Sequence, residues 1–342
     1  MADLLTPKRT TGNLPRLDTA RQTPVAVAYS GGADSTALLL MLASQHPGLV
    51  QAVHVHHGLQ VAADDFAAHC KVFCTALGVP LHVVYADAQS VTGQSPEDAA
   101  RRARYSALYA KIKEINNSIA QQKWAQSAIK CVALAQHADD QIETLLLALS
   151  RGAGLPGLSS MPVSWQRDGI EFVRPLLGMT SLEIRLYLAE RGLTMRHPGS
   201  ANIGQGWVED PTNADTQFTR NRIRHELMPA LEKTFPQFRQ TFARAAAHAA
   251  EAQIILTQVA AEDMATTGNP PRIFSLQSLT SQRQGNVLRH WLKVTYQASP
   301  STAQLAELQN QIANCTDRGK QLLIKVAGGH VERRGELLAY LP

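Results

Sequence analysis

Cysteine is scarce. The 342 residues hold four, Cys70, Cys74, Cys131 and Cys315, and no two of them form a CxxC pair. That spacing speaks against a metal or disulfide site and for buried thiols, Cys70 and Cys74 lying one helical turn apart in an Ala-rich segment. No apolar run reaches the roughly eighteen residues that a membrane-spanning helix needs. The start, MADLLTPKRTTGNLPRLD, lacks an apolar stretch behind its charges, so the expected location is the cytoplasm, with no membrane partner. Two familiar phosphate loops are also missing. There is no GxxxxGK followed by Ser or Thr, which excludes a Walker A loop, and no GxGxxG, which excludes a dinucleotide fingerprint. Internal repeats and long low-complexity stretches are lacking too.

What is present is a chain 44% hydrophobic and long enough for a large core and two domains. Its formal charge of +5 is unevenly placed. Residues 1–218 carry 18 Lys and Arg against 19 Asp and Glu, whereas residues 219–342 carry 15 against 9. A basic C-terminal third suits a polyanionic partner, because neutralised phosphates release counterions; a solvated surface with spare arginines gives the same count.

The first half alternates strand-like and helix-like runs. PVAVAYS (24–30), VQAVHVHH (50–57), LHVVYAD (81–87) and KCVALAQH (130–137) are short, Val-rich and separated by helical segments. This is the pattern of a doubly wound α/β fold with a mostly parallel sheet, in which ligands collect outside the carboxyl ends of the strands. Residues 115–130 read as a helix extension plus a surface insertion. Residues 154–169 read as a Gly/Pro-rich loop, followed by a short strand at 171–177 and a helix capped by Thr180 or Ser181. Near 218 the chain turns mainly helical, ending with the strand-like QLLIKVA and ELLAYL. The expected division is therefore a catalytic domain over 1–218 and a basic, mainly helical domain over 219–342.

The stretch SGGADS (30–35) lies between a buried strand and a helix apolar on most of its faces. Glycines there let backbone amides approach an anion with no Cβ in the way, and the helix start supplies unpaired N–H groups. Ser30, Gly31, Gly32, Ala33 and Ser35 thus form a candidate phosphate cradle. Asp34 does not favour a phosphate by itself, so an acid here points to Mg²⁺ bridging the two. A serine-capped turn with no ligand is the plainer alternative.

A second motif, HADDQIETLLLALSRGAGLPGL (137–158), starts at the end of the fourth strand. At about 100° per residue, Ala138, Ile142, Leu145, Leu146 and Leu149 fall on one arc, and Asp139, Asp140 and Glu143 on the next. Capping the helix start would use fewer acids than these. Clustered carboxylates at the mouth of a nucleotide site suit Mg²⁺ or a cationic amine.

SGGADS after VAVAY resembles the PP-loop of the N-type ATP pyrophosphatases, which split ATP into AMP and pyrophosphate. HADDQIETLLLALSRGAGLPGL resembles the HxxDDxxETxxxxxxRGSGxxGL signature of the tRNA(Ile)-lysidine synthetases. HVHHGLQ (54–60), EDAARRARYSAL (97–108), RPLL (174–177), EDPTNAD (209–215) and RNRIRHELMPAL (220–231) match that family in order. Ala153 stands where the family usually has serine, the 115–130 insertion is unusual, and the chain ends sooner than the longest members. The resemblance implies ATP-dependent adenylation of O2 of the wobble cytidine in the CAU anticodon of tRNA(Ile). The ε-amine of free L-lysine then displaces AMP to give lysidine.

On that reading Asp34, Asp140, Glu143 and Arg224 are the candidate catalytic residues. Asp34 is the candidate Mg²⁺ ligand, and Asp140 and Glu143 would receive lysine; which acid does which is not written in the sequence. His54 and His57 are candidates for lining the ATP pocket, although His54 and His56 share one side of their strand and His57 faces the other. Arg101, Arg104, Arg220 and Arg224 are candidate tRNA contacts, a guanidinium suiting a phosphate; Arg174 has the weaker claim. The residues are compatible with a homodimer. Two rivals are a tRNA thiolase of the same superfamily, disfavoured by the cysteine spacing, and a non-catalytic RNA-binding protein with a dead nucleotide fold, disfavoured by Asp34, Asp140 and Glu143.

Overall fold

A computed structural model describes residues 23–56, 62–86, 96–120, 128–315 and 321–342. The chain divides into two compact units, one holding the described residues up to Ala153 together with Ser160–Ala245, the other Gly154–Ser159 with Ala246–Pro342. The division falls at 245 and not near 218. Residues 219–245 belong with the first unit because their apolar side chains are used there: Ile223, Met228 and Phe238 form one small core with Ile142.

In the first unit the chain runs β1 (Val25–Ala28), α1 (Ala33–Gln45), β2 (Val50–His56), α2 (Ala62–Leu77), β3 (Leu81–Tyr85), α3 (Pro96–Ala120), β4 (Cys131–Ala133) and α4 (Ala138–Ser150). The short α5 (Leu155–Leu158) belongs to the second unit. Then come β5 (Ser164–Arg167), β6 (Ile170–Val173), α6 (Ser181–Ala189), β7 (Met195–Arg196), β8 (Trp207–Val208), α7 (Thr219–Arg222), a π-helical turn (Ile223–Leu227), α8 (Met228–Thr234) and the start of α9 (Phe238–Thr267). Six strands form one sheet in the order β3-β2-β1-β4-β6-β5; all neighbours are parallel except β5, which runs antiparallel at the edge.

Alternation along the strands builds two cores. Val25 and Val27 face a cluster with α1, Phe73 and Leu188, while Ala26 faces the opposite cluster with Leu108, Ile112 and Phe172. Helix α1 is buried without interruption from Ala37 to Leu42, which explains its apolar faces. The order reverses between β1 and β4, so the connections after these two strands diverge and leave a crevice at their carboxyl ends.

Two local expectations are refined. The α6 cap is Thr180, in a capping box with Glu183. Residues 154–169 are not one loop: α5 and β5 lie within them, and β5 turns into β6 at Asp168 and Gly169, with φ of 49° and 79°. Positive φ at both positions is what a tight hairpin turn requires. Of the 115–130 segment, α3 continues to Ala120, and Asn116 braces the approach to β4 by bonding both the N–H and the C=O of Ile129; residues 121–127 lie outside the described residues.

The second unit contains the rest of α9, α10 (Ile273–Gln277), α11 (Ser281–Tyr296), α12 (Thr302–Ala313), β9 (Leu323–Val326), β10 (Gly329–Arg334) and β11 (Leu337–Leu341). Its core gathers Trp291, Leu288, Leu308 and Ile312 against Val326, Val331 and Leu338 of an antiparallel sheet ordered β11-β10-β9. The middle strand, β10, has a polar sequence, GHVERR, that does not announce it.

Candidate functional site

The segment between β1 and α1 makes the first wall. Gly31 has φ +87°, and a Cβ built on it would meet Cys70 Sγ at 3.1 Å, so the loop backbone lies directly on α2. Its carbonyl accepts from the Val208 N–H at 2.9 Å. Ser35 donates to the Gly32 carbonyl at 3.1 Å and accepts from the Ser30 N–H at 3.2 Å; the two hydroxyl oxygens are 3.0 Å apart. Ser35 is buried and its proton is committed, so it shapes the loop, leaving the exposed Ser30 as the hydroxyl nearer to solvent. Helix α1 has no side-chain N-cap, so its first amides remain available to an anion.

The second wall is the start of α4. His137 caps it: its Nδ1 accepts from the Asp139 N–H, and Asp140 accepts in return from the His137 N–H. On its other side His137 Nε2 lies 3.6 Å from Asp34 and 3.5 Å from Asp140, linking the two motifs. The three acids of α4 then part ways. Asp139 is turned away from the crevice and accepts from the Ser181 N–H at 2.9 Å and from Arg239 Nε at 2.5 Å. Burial would lift its carboxyl, but these bonds outweigh it and hold it below its ordinary value. Glu143 is fully buried and meets Arg224, whose Nε and Nη2 reach the same oxygen, Oε1, at 2.8 and 2.7 Å. Burial pushes its carboxyl up against the opposing pull of Arg224. Asp140 faces the crevice, with Arg224 Nη2 at 3.4 Å. Burial also raises Asp34, which His137 opposes and Asp140 reinforces.

One cavity of about 700 Å³ joins these walls, in the range of a small-molecule site. Ser30, Gly32, Ala33, Asp34, Ser35, His54 and Asp140 line it, as do Arg101, Arg104, Arg220 and Arg224. Gly31 underlies the loop, Glu143 sits behind Arg224, and His57 lies outside the described residues. His54 Nδ1 donates to the Tyr29 carbonyl at 2.9 Å, and burial lowers its pKa, so it supports the end of β1 as a neutral ring. The sequence reading missed His137, Arg185 and Asn213, which also line the cavity. Signals existed in the H-x-x-D start of α4 and in the EDPTNAD stretch, but Arg185 on α6 had none.

The cradle fits a polyphosphate, since a Cβ at Gly31 would disturb it and bare amides face the cavity. Among the described residues no group of three or more His, Cys, Asp or Glu gathers as a metal cage. A lone Asp34 beside the cradle matches Mg²⁺ in phosphate sites, where one or two carboxylates share the ion with phosphate oxygens and water. The four cysteines are all unpaired and buried, as expected; burial lifts the Cys70 thiol far up and holds Cys74 and Cys131 at about 12. Among the described residues no helix is long and apolar enough to cross a membrane.

Residues 8–231 match the model of the PP-loop domain, and residues 272–338 that of the TilS substrate binding domain. The chain is 54% identical over 317 residues to the tRNA(Ile)-lysidine synthase of Polaromonas naphthalenivorans, covering 93% of this chain and 89% of that protein. It is 40% identical over 281 residues to the Pseudomonas fluorescens enzyme of the same name, covering 78% of this chain but 57% of that longer protein. In fold it is similar to the U34-tRNA thiolase NcsA from Methanococcus maripaludis, with TM-score 0.50, 16% identity and coverage of 66% and 71% of the two chains.

Proposed function

The chain belongs to the tRNA(Ile)-lysidine synthase family, C–N bond-forming ligases built on an ATP-binding PP-loop domain, and we propose how its own residues divide that reaction. The loop at 30–35 receives the triphosphate of ATP through the α1 amides and Ser30. Mg²⁺, held by Asp34, would neutralise charge on the departing pyrophosphate. O2 of the wobble cytidine attacks the α-phosphorus, and pyrophosphate leaves. The ε-amine of free L-lysine then attacks C2 of the activated base, the C–O bond breaks, and AMP departs.

Asp140 and Glu143 receive the lysine ammonium, and a carboxylate of this pair takes up the proton released as the amine becomes a nucleophile. Glu143 is suited to that transfer because burial raises its proton affinity. Arg101, Arg104 and Arg220 contact the anticodon arm from the cavity rim, and the second unit, which carries the substrate-binding match, holds tRNA elsewhere. A division of labour between a catalytic part and a basic part over 219–342 remains our functional reading, although the compact units part at 245.

The observation that carries this reading is the single cavity in which the phosphate cradle faces Asp140 and Arg224. The test is incubation with ATP, radiolabelled lysine and unmodified tRNA(Ile) bearing CAU, beside tRNA(Met) with the same anticodon. Label is expected on the first alone; label on neither refutes the assignment. The likeness to a thiolase concerns the fold, and four buried thiols offer no sulfur-handling site.

A further inference from the structure

The acids proposed to receive lysine already hold a cation of the protein's own. Both Nε and Nη2 of Arg224 crowd onto Oε1 of Glu143, and Nη2 lies a longer 3.4 Å from Asp140. The other oxygen, Glu143 Oε2, is buried and has no hydrogen-bond partner. The fork therefore misses the side-by-side arrangement in which guanidinium meets both oxygens of a carboxylate. A buried oxygen without a donor is unfavourable. An ammonium concentrates three donors on one atom, so it can serve both Glu143 oxygens and Asp140 together.

Arg224 also stands where such an exchange requires it. It lines the cavity while Glu143 does not, so it screens Glu143 from that cavity. Its side chain is 36% exposed against 0% for Glu143. It is carried by the π-helical turn Ile223–Leu227, a wide-turn geometry that recurs at functional sites. The phosphate cradle opens into the same cavity, and a bound phosphate there would offer a planar guanidinium the two-oxygen match that it lacks at Glu143.

We propose that Arg224 is an internal stand-in for the substrate ammonium: it occupies the Asp140–Glu143 site until free lysine displaces it, and the released guanidinium turns to the nucleotide phosphates. This rests on the lysine-ligase reading above. It makes lysine and nucleotide binding mutually reinforcing, because each offers what the other displaces, and such coupling is reciprocal.

Equilibrium dialysis of radiolabelled lysine against the full chain, with and without a non-hydrolysable ATP analogue, tests it. The analogue is expected to tighten lysine binding to the wild-type protein by about tenfold. Arg224→Ala should bind lysine more tightly than wild type without the analogue, show no further gain with it, and form little lysidine. Arg224→Gln repeats the measurement, and thermal melts identify any variant that has unfolded. If both folded variants bind lysine more weakly than wild type, or keep the analogue's effect, the stand-in role is overturned while the ligase reading survives. If wild-type protein binds no lysine and labels no tRNA, the ligase reading fails and the stand-in role with it.

Discussion

Replacing Gly31 by alanine tests whether the loop is a fitted cradle or a tolerant turn. Two effects add at this position. Alanine in the left-handed region costs about 1 kcal/mol or somewhat more, and Gly31 sits at φ +87°. The new Cβ also meets Cys70 Sγ at 3.1 Å, tighter than ordinary van der Waals contact, and that thiol is fully buried. Overpacking of this kind adds about 1–3 kcal/mol. Gly78→Ala is the control: its φ is +66°, yet nothing lies within 4 Å of its Cβ, so only the backbone effect applies. For a unit of this size each kcal/mol lowers Tm by about 2–4 °C, so Gly31→Ala should melt at least twice as far below wild type as Gly78→Ala. Displacing a positioned loop by an ångström costs about a hundredfold in rate. Pyrophosphate release should therefore fall at least about tenfold in kcat/KM for ATP in Gly31→Ala, with Gly78→Ala near wild type. Equal melting shifts and equal activities in the two variants would refute the cradle.

Glu143 gives a pH test. Its folded-state pKa is raised by burial, so the folded chain holds this proton above the pH at which the unfolded chain releases it, and stability falls as pH rises through the folded value. Glu143→Gln should remove that decline, seen as a flatter Tm profile as pH rises above the ordinary glutamate value of about 4.3; an unchanged slope sinks the assignment. Arg196 is buried, pairs with Asp65 at 3.0 Å and donates to the Ser200 carbonyl at 2.8 Å. Arg196→Met should cost about 3 kcal/mol in urea unfolding, since it strands Asp65, and a cost under about 1 kcal/mol would mean the pair is solvated. Changing Arg101, Arg104 or Arg220 singly to Gln should weaken tRNA binding and reduce the slope of log K against log salt by about 0.7–0.9 for each phosphate that the arginine neutralises. An unaltered slope removes that residue from the tRNA surface.

The parts of the fold that were legible in the sequence are those fixed by local pattern. Val25–Ala28 had to be a buried strand and Ala33–Gln45 a buried helix, which left SGGADS at a sheet edge whatever the rest of the chain did. The periodicity of α4 placed Ile142 and Leu145 in the core, but Leu149 on the same arc is 53% exposed, and Asp139 and Glu143 on the acidic arc are buried. It could not say where the acids go. Asp139 meets Arg239, 100 positions away, and Glu143 meets Arg224, 81 positions away, both supplied by the turns and helices after 218. Those same pairings bind 219–245 into the first unit, so the charge boundary and the compact boundary differ for one reason. The missed hairpin is another case: Ser164–Arg167 looks polar because it is an edge strand, mostly exposed, and only the Asp168–Gly169 turn marked it.

The depth of the three acids supplies an ordering that their spacing does not. Side-chain exposure falls from 38% at Asp34 to 18% at Asp140 and 0% at Glu143. Mg²⁺ dehydrates reluctantly and keeps several waters, so it is best served by the outermost carboxylate, beside the phosphate cradle. An amine that must lose its proton before it can attack would be better served at the least exposed carboxylate, where water is scarce. Asp140 lies between, close enough to His137 and Arg224 to feel both ends of the cavity. One helix start and one loop thus grade a row of like charges by burial, which is the order that our assignment of Mg²⁺ to Asp34 and of lysine to Asp140 and Glu143 would require.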